Sequence, residues 1–265
     1  MKLFYRKTGN GPPLVILHGL YGSADNWFSI AKNLSPKFTV IVPDLRNHGR
    51  SPHDNLHSYK ALAGDIRELS DELNLKKFFL AGHSMGGKVA MRYAIDWPES
   101  LHHLVVLDIG PNGVTSKNDP TYRFHEGILK TMASVDPGEY KSREEIENYL
   151  ASSIKGQETI GFIMKNIERT GADGFRWKLN VEGLLANLPE IMGGVSSDTD
   201  ELLQVTGFPV TVIRGSKSEY VTGKEFQSIA SIFPAAELVT VENAGHWIHS
   251  DRPDEVERVL SALIA

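Results

Sequence analysis

The sequence predicts an α/β protein in which a mostly parallel sheet carries helices on both faces. Three observations support this fold class. Short apolar runs recur along the chain, amphipathic segments lie between them, and the alternation stops between about residues 111 and 205. Strands of a parallel sheet are buried on both faces and read as continuous apolar runs, whereas a covering helix has a periodic apolar stripe.

Six apolar runs predict the strands. They are short and rich in β-branched and aromatic residues, with Gly, Pro or Asp at their ends, which is typical of buried parallel strands. The runs are LVIL (14–17), FTVIV (38–42), FFLAG (78–82), LVVL (104–107), PVTVI (209–213) and AELVTV (236–241).

Two amphipathic segments predict helices that cover this sheet. In each segment, apolar residues recur mostly three or four positions apart, which places them on one helix face. The first set is Leu62, Ile66, Leu69 and Leu73, and the second, within 251–264, is Val256, Val259, Leu260 and Leu263.

The stretch 111–205 predicts a helical insertion. Charged amphipathic segments such as SREEIENYLASSI (142–154) fill it, and we predict no strand there. The turn sequence Pro111-Asn112-Gly113 opens the stretch and Gly207-Phe208-Pro209 closes it. We expect residues 1–110 and 206–265 to form the core, and 111–205 to form a cap, or lid, over the carboxyl edge of its sheet.

The composition excludes several kinds of site and partner. There is no cysteine, so disulfides, thiolate nucleophiles and cysteine-ligated metals are excluded. The net charge is −5 and no Lys/Arg cluster dominates, so we expect no nucleic-acid partner. No signal-peptide pattern begins the sequence, and no apolar run approaches the ~18–20 residues that cross a bilayer. We expect a cytoplasmic monomer or small homo-oligomer that needs no metal and no cofactor.

One serine has the surroundings of a catalytic nucleophile. Ser84 lies in G-x-S-x-G, directly after the run FFLAG and before a helical segment. A strand, this pentapeptide and a helix form a nucleophile elbow, a strained turn that exposes the hydroxyl. Side chains at Gly82 and Gly86 would clash in such a turn. The alternative is that Ser84 only caps the helix.

Histidines in two strand-end loops predict the base and its support. His246 follows the last strand, so it should lie at the same sheet edge as Ser84 and act as the general base. His249 ranks second because the next helix begins there. His18 follows the first strand, and we expect it to support the oxyanion loop. We interpret the three histidines at 48, 53 and 57 as solvated loop residues.

The oxyanion hole and the acid complete the predicted site. Backbone N–H groups of Met85, after the nucleophile, and of Leu20, after His18-Gly19, should bind the oxyanion. An acid must orient the histidine. Asp108, at a strand end, is favoured over Glu219 because burying a strand-end aspartate without a partner is costly.

Several motifs together resemble the α/β-hydrolase superfamily, and in particular its small YbfF-type esterase branch. The motifs are HGLYGSADNW (18–27), PDLRNHGRSP (43–52), GHSMGGK (82–88), VLDIGP (106–111), S-x-Y-V (218–221) and AGHWIH (244–249). The resemblance implies an α/β-hydrolase fold and an acid at Asp108. It also implies that Ser218, where other branches carry the acid, hydrogen-bonds near the histidine and supports the triad.

The resemblance implies a cofactor-free serine esterase that works through an acyl-enzyme. Its implied substrates are small carboxylic esters with short acyl groups, with thioesters as a further class. Two alternatives stay open. The same triad can serve a hydrolase of carbon–carbon bonds or a lyase, and the same fold can serve a small-molecule sensor. Burst release of nitrophenol from a short acyl ester, lost in S84A, would distinguish the esterase from the sensor.

Overall fold

The structure is a computed structural model that describes residues 1–114, 116–171, 174–195 and 204–264. Nine strands lie within these ranges: β1 (Tyr5–Thr8), β2 (Pro13–Leu17), β3 (Thr39–Pro43), β4 (Phe78–His83), β5 (Leu101–Leu107), β6 (Ile167–Thr170), β7 (Gly174–Trp177), β8 (Val210–Gly215) and β9 (Ala236–Val241). Seven of them form one sheet in the order β1-β3-β2-β4-β5-β8-β9, and β6 pairs with β7.

The large sheet is parallel except at one edge. The strands β2, β3, β4, β5, β8 and β9 pair in parallel and coincide with the six predicted runs. The edge strand β1 pairs antiparallel with β3. The sequence did not predict β1, because its residues YRKT are mostly polar and only partly buried. An edge strand does not need the continuous apolar run of a central one.

Helices cover both faces of this sheet. Their bounds are α1 (Phe28–Leu34), α2 (Tyr59–Glu72), α3 (Met85–Asp96), α4 (Pro120–Ala133), α5 (Arg143–Ala151), α6 (Gln157–Met164), α7 (Val181–Ala186), α8 (Leu188–Met192), α9 (Gly223–Ile232), α10 (Ile248–Asp251) and α11 (Pro253–Ser261). A short 3-10 helix, Ala24–Trp27, precedes α1. The α2 helix begins after Ser58, whose side chain accepts the N–H of Ala61.

Two apolar cores lie on opposite faces of the sheet. Alternate residues of β2 point into different cores, Val15 and Leu17 into one and Leu14 and Ile16 into the other. The first core contains the apolar faces of α2 and α3, and the second contains those of α1 and α11. Both predicted helix stripes therefore pack against the sheet. The predicted fold class, a mostly parallel sheet with helices on both faces, is confirmed.

The strand order places a crevice at the carboxyl edge of the sheet. From β2 the chain runs outward to β3 on one side, and then returns to β4 on the other side. The loops after β2 and β4 therefore part at this edge, where open α/β sheets bind their ligands. The predicted oxyanion loop follows β2 and Ser84 follows β4.

The stretch between β5 and β8 is an insertion that contains five of the helices, α4 to α8. Its first residues are joined to the segment after α8, since Val195 N–H donates to Pro111 O at 2.7 Å and Val114 N–H donates to Met192 O at 2.8 Å. The expectation that it holds no strand was wrong, because β6 and β7 form an antiparallel pair. These four-residue strands carry charged residues and leave no apolar run. Residues 115, 172–173 and 196–203 of the predicted insertion lie outside the described residues.

None of the helices within the described ranges has the length and apolar character that crossing a bilayer requires.

Candidate active site

The turn that carries Ser84 is strained and closely packed. Ser84 has φ 53° and ψ −121°, in the left-handed half of the Ramachandran plot that side chains rarely adopt. A Cβ built on Gly82 would lie 2.1 Å from Gly86 O, and one built on Gly86 would lie 2.6 Å from Leu17 O. Glycine is therefore required at both positions, as the elbow prediction proposed. The Ser84 N–H donates to Leu107 O at 3.0 Å, which fixes the turn to the neighbouring strand.

Three predicted side chains form one hydrogen-bonded chain. His246, in the loop after β9, lies with Nε2 3.0 Å from Ser84 Oγ. Its Nδ1 lies 2.8 Å from Asp108 Oδ2, at the end of β5. Because a carboxylate only accepts, Nδ1 carries the proton and Nε2 is free to accept the serine proton. Three strand ends thus bring together residues that are 24 to 162 positions apart.

The Asp108 carboxylate is fully buried, and each of its oxygens is hydrogen-bonded. Ser218 Oγ donates to Oδ2, which also accepts from His246. Gly215 N–H donates to Oδ1 at 3.2 Å. Ser218, which the resemblance implied to hydrogen-bond near the histidine, therefore contacts the Asp108 carboxylate. The rival acid Glu219 is exposed, so its carboxylate lies in solvent.

Two aromatic residues that the sequence did not single out hold His246. The Tyr220 ring stacks on the imidazole, with centroids 3.9 Å apart and planes inclined by 20°. His83 Nε2 donates to His246 O at 2.7 Å. Burial lowers the pKa of His83 well below its usual value, so this neighbour stays neutral and adds no charge beside the base. The sequence could have pointed to His83, because it directly precedes Ser84.

His18 fixes the loop that carries Leu20. The Gly19 carbonyl accepts from His18 Nδ1 at 2.9 Å and from Gly22 N–H at 3.0 Å. His18 Nε2 in turn accepts the Leu45 N–H at 3.0 Å. Because a peptide unit is planar and trans, holding the Gly19 C=O also fixes the Leu20 N–H in the opposite direction. His18 thus holds the loop whose Leu20 N–H we predict to bind the oxyanion.

Two backbone donors lie beside Ser84 without partners. Met85 N–H is the first of α3, where no helical carbonyl is available. Neither this group nor Leu20 N–H donates to any acceptor within the described ranges. Both residues line the same small cavity as Ser84. Gly19 also approaches Ser84 closely, since a Cβ there would lie 3.2 Å from Ser84 Cβ.

The interpretation of loop histidines as solvated was wrong for His48 and His57, which are almost fully buried, and His53 is exposed. His48 accepts the Tyr21 N–H on Nε2 at 3.3 Å and donates from Nδ1 to Arg46 O. It therefore ties the oxyanion loop to the loop after β3. Burial lowers the pKa of His48 well below its usual value and that of His57 to about 4.

The second-ranked base, His249, is not bonded to Ser84. Its ring stacks on Trp27 with centroids 4.6 Å apart. Burial lowers the pKa of His249 to about 3, with the His246 and Lys165 charges adding to the effect. We interpret it as part of the cavity wall, because it lines the space next to Ser84.

Ser84 opens onto two cavities among the described residues. The larger has about 220 Å³ and is lined mainly by apolar and aromatic groups, with His246 and Trp247 in its wall. The smaller has about 40 Å³ and includes Met85 but not His246. Four residues belong to both cavities and mark their junction: Leu20, Ser84, His125 and Tyr220.

A buried lysine joins α3 to the insertion. Lys88 Nζ donates to Asn112 O at 2.8 Å and to Gly193 O at 2.7 Å, one carbonyl at each end of the insertion. Burial lowers the pKa of Lys88 to about 8. The α3 helix, which begins directly after Ser84, is therefore fastened to the insertion at Asn112 and at Gly193.

The similarity to known proteins covers nearly the whole chain. A profile of the family described as alpha/beta hydrolase fold matches residues 12–132. The sn-1-specific diacylglycerol lipase ABHD11 of Danio rerio is 33% identical over 258 residues, covering 96% of this chain and 79% of that protein. Esterase YbfF of Escherichia coli is 31% identical over 251 residues, covering 95% of this chain and 92% of the esterase. The solved structure of a marine microorganism esterase is 40% identical, with a TM-score of 0.93 and 99% of both chains covered.

Proposed function

This chain belongs to the α/β-hydrolase fold family and is a hydrolase that acts on esters, and from that premise we propose that Ser84, His246 and Asp108 are its catalytic triad. The observation that carries the proposal is the continuous hydrogen-bonded chain from Ser84 Oγ through both nitrogens of His246 to Asp108. The buried carboxylate sets the tautomer of the imidazole and stabilises the imidazolium that forms during reaction.

Acylation follows from this geometry. Ser84 Oγ attacks the ester carbonyl carbon while His246 Nε2 takes the serine proton. The carbonyl oxygen becomes an oxyanion, which accepts hydrogen bonds from the Leu20 and Met85 N–H groups. One such donor is worth about 2.7–4 kcal/mol in the transition state. His246 then gives its proton to the leaving oxygen, the C–O bond breaks, and the acyl group stays on Ser84.

Deacylation uses the same groups in reverse order. A water molecule takes the place of the departed alcohol, and His246 Nε2 accepts one of its protons. The resulting hydroxide oxygen bonds to the acyl carbon, and the same two N–H groups bind the second oxyanion. The bond to Ser84 Oγ breaks as His246 returns the proton to it, so a free carboxylic acid and the original enzyme remain.

Each of the two cavities holds one half of the ester substrate. His246 must protonate the leaving oxygen, and it lines only the cavity of about 220 Å³, so the leaving group occupies that space. The acyl group then occupies the cavity of about 40 Å³. At roughly 10–15 Å³ for each water-sized group, this space holds about three such groups. Short acyl chains fit there, and a leaving thiol can replace the alcohol, so we include short acyl thioesters.

We propose that residues 111–205 act as a cap over a core formed by 1–110 and 206–265. The insertion places Phe124, His125, Ile128, Thr159 and Phe162 in the wall of the larger cavity. Thr121, Ile191 and Met192 of the same stretch line the smaller cavity, so the cap contributes to the recognition of both the leaving group and the acyl group.

The test is a panel of nitrophenyl esters from acetyl upward, together with acyl thioesters, on the wild type and S84A. We expect kcat/KM to be highest for acyl groups of two to four carbons and to fall for longer chains. S84A should lose activity on the order of 10⁶-fold. Activity that survives in S84A would overturn the triad, and a preference for long chains would overturn the division of the cavities.

A further inference from the structure

One polar side chain of the insertion lies directly at the junction of the two cavities. His125, on α4, lines both the larger and the smaller cavity, as Ser84 does. Because the scissile bond must lie at Ser84, an acyl group in one cavity and a leaving group in the other meet at this junction. The atoms on either side of the ester carbonyl therefore lie next to His125.

The phenol of Tyr21 fixes the tautomer of this histidine. Tyr21 OH and His125 Nδ1 lie 3.2 Å apart, and Tyr21 has no other acceptor for its hydroxyl proton within the described ranges. A buried phenol donates its proton where it can, so Nδ1 accepts and the ring carries its own proton on Nε2. Tyr21 directly follows Leu20, and its positive φ of 64° fixes this part of the backbone.

The second nitrogen of His125 is available to a ligand. Nε2 has no hydrogen-bond partner among the described residues, and it is not one of the unpaired side-chain atoms sealed away from solvent. It therefore keeps accessible surface in a residue that lines both cavities. Burial lowers the pKa of His125 to about 4, so at neutral pH it is an uncharged donor.

We propose that His125 determines acyl specificity by donating an Nε2–H hydrogen bond to an oxygen on the α-carbon of the substrate acyl group. The proposal rests on the proposed function, because it needs the acyl group in the smaller cavity. The favoured substrates are esters of short acids that carry an ether, hydroxyl or keto oxygen next to the carboxyl carbon. His125 then contacts the substrate without taking part in proton transfer at the triad.

The experiment compares nitrophenyl methoxyacetate with nitrophenyl butanoate, whose acyl groups differ only by an oxygen in place of a methylene. The ratio of their kcat/KM values is measured in the wild type, H125F and H125Q. Because the same two esters are used throughout, their different intrinsic reactivities cancel between enzymes. We expect the ratio to fall roughly three- to tenfold in H125F, which is the effect of one lost neutral hydrogen bond. H125Q keeps an N–H donor and should stay within about twofold of the wild type.

Two variants serve as controls. T121V removes a hydroxyl from the same small cavity, and H102F makes the same exchange at an exposed position at the start of β5. Both should leave the ratio unchanged. Nitrogen NMR of His125 in the wild type should show a proton on Nε2 and none on Nδ1, and the opposite tautomer would overturn the donor role.

Different results would overturn the role of His125 and the proposed esterase function. If both esters are hydrolysed in a reaction that S84A abolishes, and the ratio is the same in H125F as in the wild type, the role of His125 is overturned while the esterase stands. An equal ratio change in T121V would also overturn it. If S84A hydrolyses both esters at the wild-type rate, the proposed function itself fails.

Discussion

Replacing Asp108 by asparagine should inactivate the enzyme with little change in its shape. The carboxylate accepts three hydrogen bonds, from His246 Nδ1, Ser218 Oγ and Gly215 N–H. An amide has one oxygen, so D108N must place its NH₂ group either toward the histidine and serine or toward the backbone N–H. The first placement pushes the histidine proton to Nε2, where it faces the nucleophile. The second placement points the amide NH₂ group at the Gly215 N–H, so that two donors face each other in a fully buried site.

The expected loss in kcat is large in both cases. A wrong tautomer removes the acceptor for the serine proton, and the missing negative charge no longer stabilises the imidazolium. The same exchange in a serine protease triad lowers kcat by about 10⁴. This factor corresponds to about 5 kcal/mol of activation free energy.

The assay is kcat/KM for a short nitrophenyl ester, with the melting temperature measured alongside to establish folding. Glu219→Gln is the matched control, because that side chain is exposed and lies beside the same loop. We expect E219Q to retain activity within about twofold, as surface exchanges away from a site usually have little effect. Our assignment of the acid would be refuted if folded D108N kept more than a tenth of the activity, or if E219Q lost as much as D108N.

Three further predictions concern stability and are measured by urea unfolding. Gly86→Ala places a Cβ 2.5 Å from a backbone carbonyl oxygen and should lower the free energy of unfolding by about 1–3 kcal/mol, and an unchanged midpoint would contradict the close approach. Lys88→Met leaves two carbonyls of the insertion without a donor. The free energy of unfolding should fall by about 1–3 kcal/mol for each carbonyl that water does not reach. A more stable variant would disprove that Lys88 fastens the insertion. The buried histidines His57, His125 and His249 have pKa values of about 4, 4 and 3. The unfolded chain therefore binds more protons than the folded one as pH falls from 6.5 to 4, and stability should drop by up to about 1.4 kcal/mol per pH unit for each histidine. A flat profile across this window would show that they are not buried as neutral rings.

The sequence was most informative where the determinants are close together along the chain. The turn around Ser84 could be predicted, because the strand, the two glycines and the helix follow one another directly within residues 78–96. The central strands could be predicted as well, because burial on both faces demands apolar residues at consecutive positions. Asp108 could be placed because a charged residue at the end of such a run needs a partner.

Features at the edges of the fold were harder to predict. The strands β1 and β6 carry mostly polar or charged residues, and an arginine interrupts the apolar residues of β7. The backbone hydrogen bonds of these strands come from a partner strand, which no apolar pattern reveals. A strand of four residues with one face in solvent has too few buried positions to leave a signal.

By itself, the sequence determined the fold class and the strained turn at Ser84, since these follow from local apolar pattern and local backbone geometry. Only the tertiary structure decided which polar side chains are buried and what they bind. The sequence shows His48 only as a loop residue, whereas in the structure its ring accepts the Tyr21 N–H. It shows His125 only as a helix residue, whereas in the structure His125 lines both of the cavities that Ser84 lines. Lys88 likewise finds its acceptors 24 and 105 positions away. The physical reason is that burying a polar group depends on partners that folding brings together, and no local pattern encodes those partners.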